Sequence, residues 1–274
     1  ETYPPGSTFK LVTAAAALSS GGYTPQSSIP APDVLPYPNS TKSLPNYAGG
    51  KCGDGKTTTL IDALTISCNT AFGSLGETLG QDALRKQAES FGFNSTFSIP
   101  MKSATSVFPT GLDDAQTIQS AIGQYDVRTT PLQMAMVAAT IANGGTLMKP
   151  YLVKQLVGPD LAVIDTTKPT VVRQAISAEV AAELTTMMES VVDKGTGTSA
   201  QIPGVKVAGK TGTAENAPGK PPHAWFVSFA PAASPKIAVA VVVENGGGVN
   251  DATGAKVAAP IAKAVMSAAL KETQ

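Results

Sequence analysis

Apolar residues recur at helical spacing in several stretches of the chain. The clearest is TTPLQMAMVAATIANGG at 129–145, where Thr130 suits an N-cap, Pro131 suits the first helical position, and two glycines end the helix. A second follows Ser177, with apolar residues at i, i+4, i+7 and i+11 before Gly195. The same spacing predicts further helices over 7–18, 58–63, 82–91 and 256–271.

The period changes to that of strands towards the C-terminal end. Three short runs of branched and aromatic residues lie at 205–215, 224–231 and 236–245, bounded by Gly, Pro and Asn. The short connection between the last two favours antiparallel pairing. Helices followed by an antiparallel sheet and a covering helix predict an α+β fold. No linker divides the chain, so residues 1–274 are expected to form one domain.

Residues 24–57 form a long irregular segment, rich in Pro, Ser, Thr and Gly. Ordered loops of this length are often functional. Cys52 lies near the end of this segment, and Cys68 lies sixteen residues further along the chain. Two interpretations of this pair stay open, a disulfide formed in an oxidising compartment or two unrelated buried thiols.

Charge and composition exclude several classes of function. Twenty basic residues balance twenty acidic ones, so no net field attracts nucleic acid or anionic lipid. With one histidine and two cysteines, no transition-metal cluster is expected, and no cofactor is predicted. The longest apolar runs, 12–18 and 237–243, are too short to span a membrane. Because the chain opens on Glu1 without an initiator Met, we expect it to be a piece of a longer protein.

Three short motifs carry the candidate chemistry: Ser7-Thr8-Phe9-Lys10, Ser67-Cys68-Asn69 and Lys210-Thr211-Gly212-Thr213. Taken singly, each has a structural explanation: a helix cap with a solvated lysine, a polar helix terminus, and a strand end before a turn. In this order and spacing they resemble the penicillin-recognising acyl-serine enzymes. The similarity covers essentially the whole chain and is strongest to the transpeptidase domain of class B penicillin-binding proteins.

Physical reasons also assign a role to each residue type. A serine hydroxyl needs a base, and Lys10, one helical turn from Ser7, can serve if burial and the neighbouring cation Lys210 keep it neutral. Ser67 can relay a proton, and Asn69 can orient Lys10 and hold a substrate amide. The backbone N–H groups of Ser7 and Thr213 are expected to form an oxyanion hole.

The resemblance implies a substrate and a reaction. Lys210 and the hydroxyls of Thr211 and Thr213, with Gly212 between them, would bind the terminal carboxylate of a D-alanyl-D-alanine peptide stem or of a β-lactam. Ser7 would then form an acyl-enzyme that a second stem peptide resolves into a cross-link. Alternatives are a D,D-carboxypeptidase or β-lactamase that uses water, and a β-lactam sensor without turnover.

The resemblance also implies a cellular setting. It predicts a serine β-lactamase-like fold with an all-helical subdomain beside the sheet. It places the enzyme on the extracytoplasmic face of the membrane, held by an upstream anchor, with cell-wall synthesis or division proteins as partners. Two departures from the family stand out: only six residues precede Ser7, where upstream strands are normal, and Tyr125 occupies a position where many relatives have glycine.

Overall fold

The computed structural model describes residues 1–215, 219–246 and 253–272. Within these ranges the helices are α1 (Lys10–Ser19), α2 (Leu60–Thr65), α3 (Asn69–Ser90), α4 (Asp114–Ala121), α5 (Pro131–Ala142), α6 (Ala178–Lys194) and α7 (Ala259–Glu272). The strands are β1 (Ser28–Pro30), β2 (Val34–Pro36), β3 (Ser43–Pro45), β4 (Thr57–Thr59), β5 (Thr146–Met148), β6 (Gln155–Val157), β7 (Val163–Thr166), β8 (Val171–Gln174), β9 (Ala208–Ala214), β10 (His223–Ala230) and β11 (Ile237–Val243). A 3₁₀ turn, Gly6–Phe9, precedes α1, and a π-helical turn, Gly254–Ala258, precedes α7.

The predicted N-cap of α5 is confirmed, and α6 begins with a cap of the same kind. The Thr130 hydroxyl accepts the Gln133 N–H at 3.0 Å, and the Ser177 hydroxyl accepts the Val180 N–H at 3.2 Å. Each satisfies one of the backbone donors that a helix leaves free at its start.

Two helical regions differ from the prediction. The helix predicted over 82–91 begins thirteen residues earlier, because α3 continues through Gly80, whose backbone leaves the helical region (φ 77°). Helix α4 was not predicted, because its sequence is polar; a capping box between Asp113 and Gln116 starts it. Gly76 lets the two helices pack closely, since a Cβ there would lie 2.3 Å from the Ala121 Cβ.

The α+β class is confirmed. The sheet at its centre has the order β11-β10-β9, with both pairs antiparallel. Strand β10 is buried along its whole length: Trp225, Val227 and Phe229 enter the main core, whereas Ala224, Phe226 and Ala230 enter a second core with α7. Alternation along the strand therefore joins two cores through one central strand.

Strand β9 is the edge of this sheet and faces the N-terminal part of the chain. The 3₁₀ turn Gly6–Phe9 contacts β9, whereas α1 packs on α3 and α6. Helices α5 and α7 both pack on β10 and β11. The free edge of β9 is thus brought to the turn that contains Ser7.

The irregular segment 24–57 contains short paired strands rather than one extended loop. β1 pairs with β4, and β2 pairs with β3 in a hairpin whose Leu35 and Leu44 are buried. These two leucines reach Gly73 of α3, where a Cβ would lie 2.9 Å from each. The hairpin therefore lies against the first turns of α3.

The β6–β7 hairpin is different, because every residue in both strands is exposed. No described helix is long and apolar enough to cross a membrane.

Candidate active site

The turn that carries Ser7 approaches the edge of β9 closely. Gly6 has φ 52°, and a Cβ there would lie 2.7 Å from the carbonyl oxygen of Thr213. Its N–H donates to the Gly123 carbonyl at 3.0 Å. Only glycine combines this backbone conformation with so close an approach. Residues 4–18 are otherwise buried, and Ser7 alone among them is partly exposed.

Lys10 lies directly below this turn, with its side chain fully buried. Its side-chain nitrogen, Nζ, donates to the Ser67 carbonyl at 2.7 Å and to Oδ1 of Asn69 at 2.7 Å, and it lies 3.4 Å from the Ser67 hydroxyl. The Phe72 ring centroid is 5.6 Å from Nζ. The first and second motifs therefore meet through this one amine.

Lys210 reaches the same point from the sheet and is also fully buried. Its Nζ donates to the Ser67 hydroxyl at 2.8 Å and to the Thr211 carbonyl at 3.1 Å. Ser67 thus lies between two lysines that come from opposite ends of the chain.

Burial lowers the pKa of both lysines. Desolvation, followed by the charge of Lys210, lowers the pKa of Lys10 well below its ordinary value. Desolvation alone lowers the pKa of Lys210 to about 7. Two adjacent buried amines without a described carboxylate partner cannot both stay charged at neutral pH.

The hydrogen bonds fit a neutral Lys10. A neutral amine has two hydrogens and one lone pair. The two 2.7 Å bonds use both hydrogens, and the lone pair is left to face the Ser67 hydroxyl at 3.4 Å, which itself accepts from Lys210. The Ser7 hydroxyl has no hydrogen bond to another described residue, so its contact with Lys10 would have to form when substrate binds.

The segment of the second motif is held by residues that the sequence did not point to. Ser67 has φ 62°, an uncommon conformation for a residue other than glycine. Asn46, buried just after β3, accepts the N–H groups of Asn69 at 2.9 Å and of Thr70 at 3.1 Å through Oδ1. It therefore caps α3 from outside the helix. No local pattern in the sequence could have indicated this long-range cap.

A disulfide joins Cys52 and Cys68, whose Cα atoms are 6.1 Å apart. Of the two interpretations left open by the sequence, the disulfide is therefore the one that the structure contains. The bond ties the end of the 24–57 segment to the residue between Ser67 and Asn69.

The third motif follows the edge of β9. The Thr211 hydroxyl lies 2.6 Å from that of Thr196, which precedes the strand in the chain and was not a predicted site residue. At Gly212 a Cβ would lie 2.9 Å from the Thr8 side chain and 3.1 Å from the Pro5 carbonyl. The carbonyl of Thr213 faces Gly6, so the backbone groups of this residue point away from β10 and towards the Ser7 turn.

Tyr125 also departs from the ordinary backbone. Its φ is 58°, in the left-handed region that glycine adopts without strain. Tyr125, the second departure noted from the sequence, therefore holds a conformation that glycine adopts more readily.

A buried pair of lysines around a serine, close to a partly exposed serine on the turn before a helix, is the arrangement that the sequence predicted for an acyl-serine enzyme. Residues 1–267 match the family model described as the penicillin-binding protein transpeptidase domain, and the chain belongs to this family. The expected resemblance is confirmed.

Relatives and solved structures agree. The chain is 49% identical to the peptidoglycan D,D-transpeptidase PbpA of Mycolicibacterium smegmatis, over 99% of this chain and 56% of that protein. It is 33% identical to the stage V sporulation protein D of Bacillus subtilis, over 99% of this chain and 42% of that protein. It superposes on the ceftriaxone acyl-enzyme of penicillin-binding protein A from M. tuberculosis with a TM-score of 0.94 at 50% identity, covering 98% of this chain and 61% of that one. The chain thus spans about half the length of these curated relatives.

Proposed function

We propose that this chain is the catalytic domain of an acyl-serine peptidoglycan D,D-transpeptidase that β-lactams acylate. The observation that carries the proposal is the buried network in which Lys10 and Lys210 share Ser67. It supplies a neutral amine beside a partly exposed serine. The acyl-enzyme form of penicillin-binding protein A from M. tuberculosis, at 50% identity, supports the same chemistry.

In the first half-reaction the Ser7 oxygen attacks the carbonyl of the penultimate D-alanine, and the hydroxyl proton passes to Lys10. The N–H groups of Ser7 and Thr213 stabilise the oxyanion, and one such donor contributes about 2.7–4 kcal/mol to lowering a barrier. The C–N bond then breaks, and the leaving D-alanine takes up a proton relayed through Ser67. An ester between Ser7 and the shortened peptide remains.

In the second half-reaction an amine of another stem peptide attacks this ester. Lys10 accepts the proton of the amine, the C–O bond breaks, and Ser7 recovers its proton. Asn69 keeps one amide hydrogen for the substrate, because its Nδ2 donates to only one described acceptor, the Pro45 carbonyl at 3.2 Å. During the first half-reaction Thr211 and Thr213, on either side of Gly212, would bind with Lys210 the carboxylate of the terminal D-alanine until that residue leaves.

The substrate implies where the reaction takes place. Peptidoglycan stems lie outside the cytoplasmic membrane, so we place the domain on that side. An anchoring segment and contacts with other cell-wall synthesis or division proteins stay predictions.

The direct test is intact mass spectrometry of the protein after exposure to benzylpenicillin. A slowly decaying adduct of the drug mass is expected, absent from Ser7→Ala and retained by the control Ser20→Ala. Rapid drug hydrolysis with only a transient adduct would show that water is the acceptor. No adduct on the parent chain would contradict the proposal.

A peptide donor then separates a transpeptidase from a sensor. A D-alanyl-D-lactate depsipeptide supplied with a D-amino acid as acceptor should give the new amide. Hydrolysis alone would identify a carboxypeptidase, and acylation by penicillin without turnover of the depsipeptide would identify a sensor.

A further inference from the structure

The β6–β7 arm, residues 149–170, carries apolar side chains that the rest of the described chain does not cover. Its two strands pair with each other and with no other described strand. Single exposed apolar residues are ordinary, whereas a group of them marks a surface that another molecule covers. Six large apolar residues of the arm are more than half exposed: Leu152, Leu156, Val157, Leu161, Val163 and Ile164.

Strand β6 has an open outer edge. The Lys154 carbonyl accepts from the opposite side of the arm at 2.9 Å, and the Gly158 N–H donates to it at 2.9 Å. Because backbone direction alternates along a strand, Gln155 and Val157 point their N–H and C=O groups outward. No described strand pairs with them there.

The outer edge of β7 is closed by comparison. Thr166 lies opposite Gln155 and therefore also points its N–H outward. This N–H already donates to the Asp165 carboxylate at 2.8 Å. A strand edge whose donors are bonded to side chains offers less to a partner strand. Strand addition is therefore expected at β6 and not at β7.

The open edge of β6 is complementary to itself. In an antiparallel pair with a two-fold axis at Leu156, Gln155 of each copy lies opposite Val157 of the other. Both residues point their backbone groups outward, so the two symmetric pairs can exchange four N–H···O bonds. Leu156, 53% exposed in the single chain, would meet its own counterpart on the axis.

The two ends of the arm carry opposite charge. Lys149 and Lys168 are exposed at the base, and Asp160 is exposed in the turn at the tip. None of the three forms an ion pair with a described residue. Antiparallel pairing brings the base of one copy to the tip of the other, where these charges attract. An anionic membrane would instead repel the acidic tip.

A cavity of about 190 Å³ at the base gives the tip of a second copy a place to bind. It lies between the arm and residues 98–100, and its lining includes Ile99, Tyr151, Leu152, Lys149 and Lys168. At the tip, Leu161 is 80% exposed and follows Asp160 directly. An apolar side chain next to a carboxylate matches an apolar cavity next to two ammonium groups.

We infer that this chain associates with a second copy of itself, by antiparallel pairing of β6 with β6 and insertion of each tip at the base of the other arm. The surface is small, so the association is weak, as in transient complexes that bury less than about 1,200 Å². No residue of the arm belongs to the catalytic network, and the inference does not depend on the proposed function.

The first test is sedimentation equilibrium over about 0.01–1 mM protein, the range of weak association. The mass-average should rise from monomer towards dimer with concentration, and salt at about 0.5 M should weaken the dimer. Gln155→Pro removes an outward N–H and leaves the β6–β7 bonds in place, and it should weaken association at least about tenfold. The control Thr166→Pro removes the corresponding N–H of the closed edge and should have no effect.

Charge reversal identifies which groups meet. Lys149→Glu and Asp160→Lys should each stay monomeric, because each places like charges between base and tip. A mixture of the two variants should form a heterodimer, because both of its base–tip contacts then join opposite charges. Association of either variant alone as strong as that of the parent chain would contradict the proposed contact.

Cross-linking tests the axis directly. Both native cysteines are in the disulfide, so Leu156→Cys introduces a single thiol. Directly opposed residues of this kind have Cα atoms about 4.5 Å apart, within the reach of a disulfide. Mild oxidation should therefore give a covalent dimer. The control Ile164→Cys, at a position 70% exposed on β7, should stay monomeric.

Circular dichroism and thermal unfolding of each variant separate loss of the dimer from loss of the fold. A parent chain that stays monomeric throughout the concentration range would overturn the inference, as would a dimer that Gln155→Pro leaves unchanged. Monomeric protein that floats with phosphatidylglycerol vesicles would also overturn it and would assign this surface to a membrane.

Discussion

The candidate site has two walls that are built in different ways. The nucleophile wall, residues 6–10 with β9, holds its groups through local helix and strand geometry and through buried lysines. The hairpin wall, residues 34–46 with the Cys52–Cys68 bond, holds its groups through side chains that reach across long sequence separations. We therefore expect the two walls to contribute differently to the acylation rate and to stability. Changes in the first wall should alter the rate more than stability, and changes in the second should alter stability more than the rate.

The largest effect is expected at Lys10. Lys10→Gln removes the base, and acylation by benzylpenicillin should slow by about a hundred- to ten-thousand-fold. The urea midpoint should stay the same or rise, because a desolvated amine is lost from the core. Stopped-flow acylation and urea unfolding measure the two effects, with Lys86→Gln on the exposed face of α3 as control. A large loss of stability with little change in rate would reverse the comparison.

The pH dependence should follow the same amine. Protonation removes the lone pair of Lys10, so acylation should fall as the pH is lowered through its depressed pKa. Because the charge of Lys210 helps to depress that pKa, Lys210→Met should raise it and move the acid limb of the rate profile to higher pH. The profile of the acylation step at saturating benzylpenicillin is the measurement. An acid limb at the same pH in both proteins would show that the lysines do not interact.

The disulfide belongs to the hairpin wall, and its loss should act mainly on stability. A bond that closes a loop of about fifteen residues stabilises a protein by about 3 kcal/mol. The double variant Cys52→Ser/Cys68→Ser should lose about this much free energy of unfolding, while its acylation rate falls less than tenfold. Denaturant unfolding of parent and variant, with and without reductant, checks this. If full reduction of the bond leaves the free energy of unfolding of the parent chain unchanged, the prediction is contradicted.

The smallest effect is expected at Asn46. Asn46→Ala leaves the N–H groups of Asn69 and Thr70 without their acceptor, which should cost about 1–3 kcal/mol of stability. Asn46→Asp keeps an acceptor oxygen at the start of α3 and should retain most of the stability. Thermal unfolding of the three proteins distinguishes them, and equal losses in both variants would point to packing rather than capping.

The two walls also differ in how far the sequence predicted them. Ser7 and Lys10 lie one helical turn apart in one short motif, and Lys210 lies in another on a strand. Their roles could therefore be predicted from local sequence alone. Helix α5 could be predicted equally well, because Thr130 and Pro131 specify its start locally.

The hairpin wall was predicted only as an irregular segment. Its strands are three residues long and contain proline, so no periodicity can develop. Asn46 caps a helix that begins twenty-three residues later, a contact that only the folded chain brings about. Helix α4 was missed for a different reason: its polar sequence has no apolar periodicity, and the local capping box that starts it was overlooked.

The only tryptophan of the chain gives the nucleophile turn an optical reporter. Trp225 is fully buried in β10, and its indole N–H donates to the Pro4 carbonyl at 3.0 Å, three residues before Ser7. Its fluorescence therefore arises from a dry site bonded to the segment that carries the nucleophile. Emission at short wavelength, and its shift when that segment detaches, would follow the integrity of the acylation site in real time without any added label.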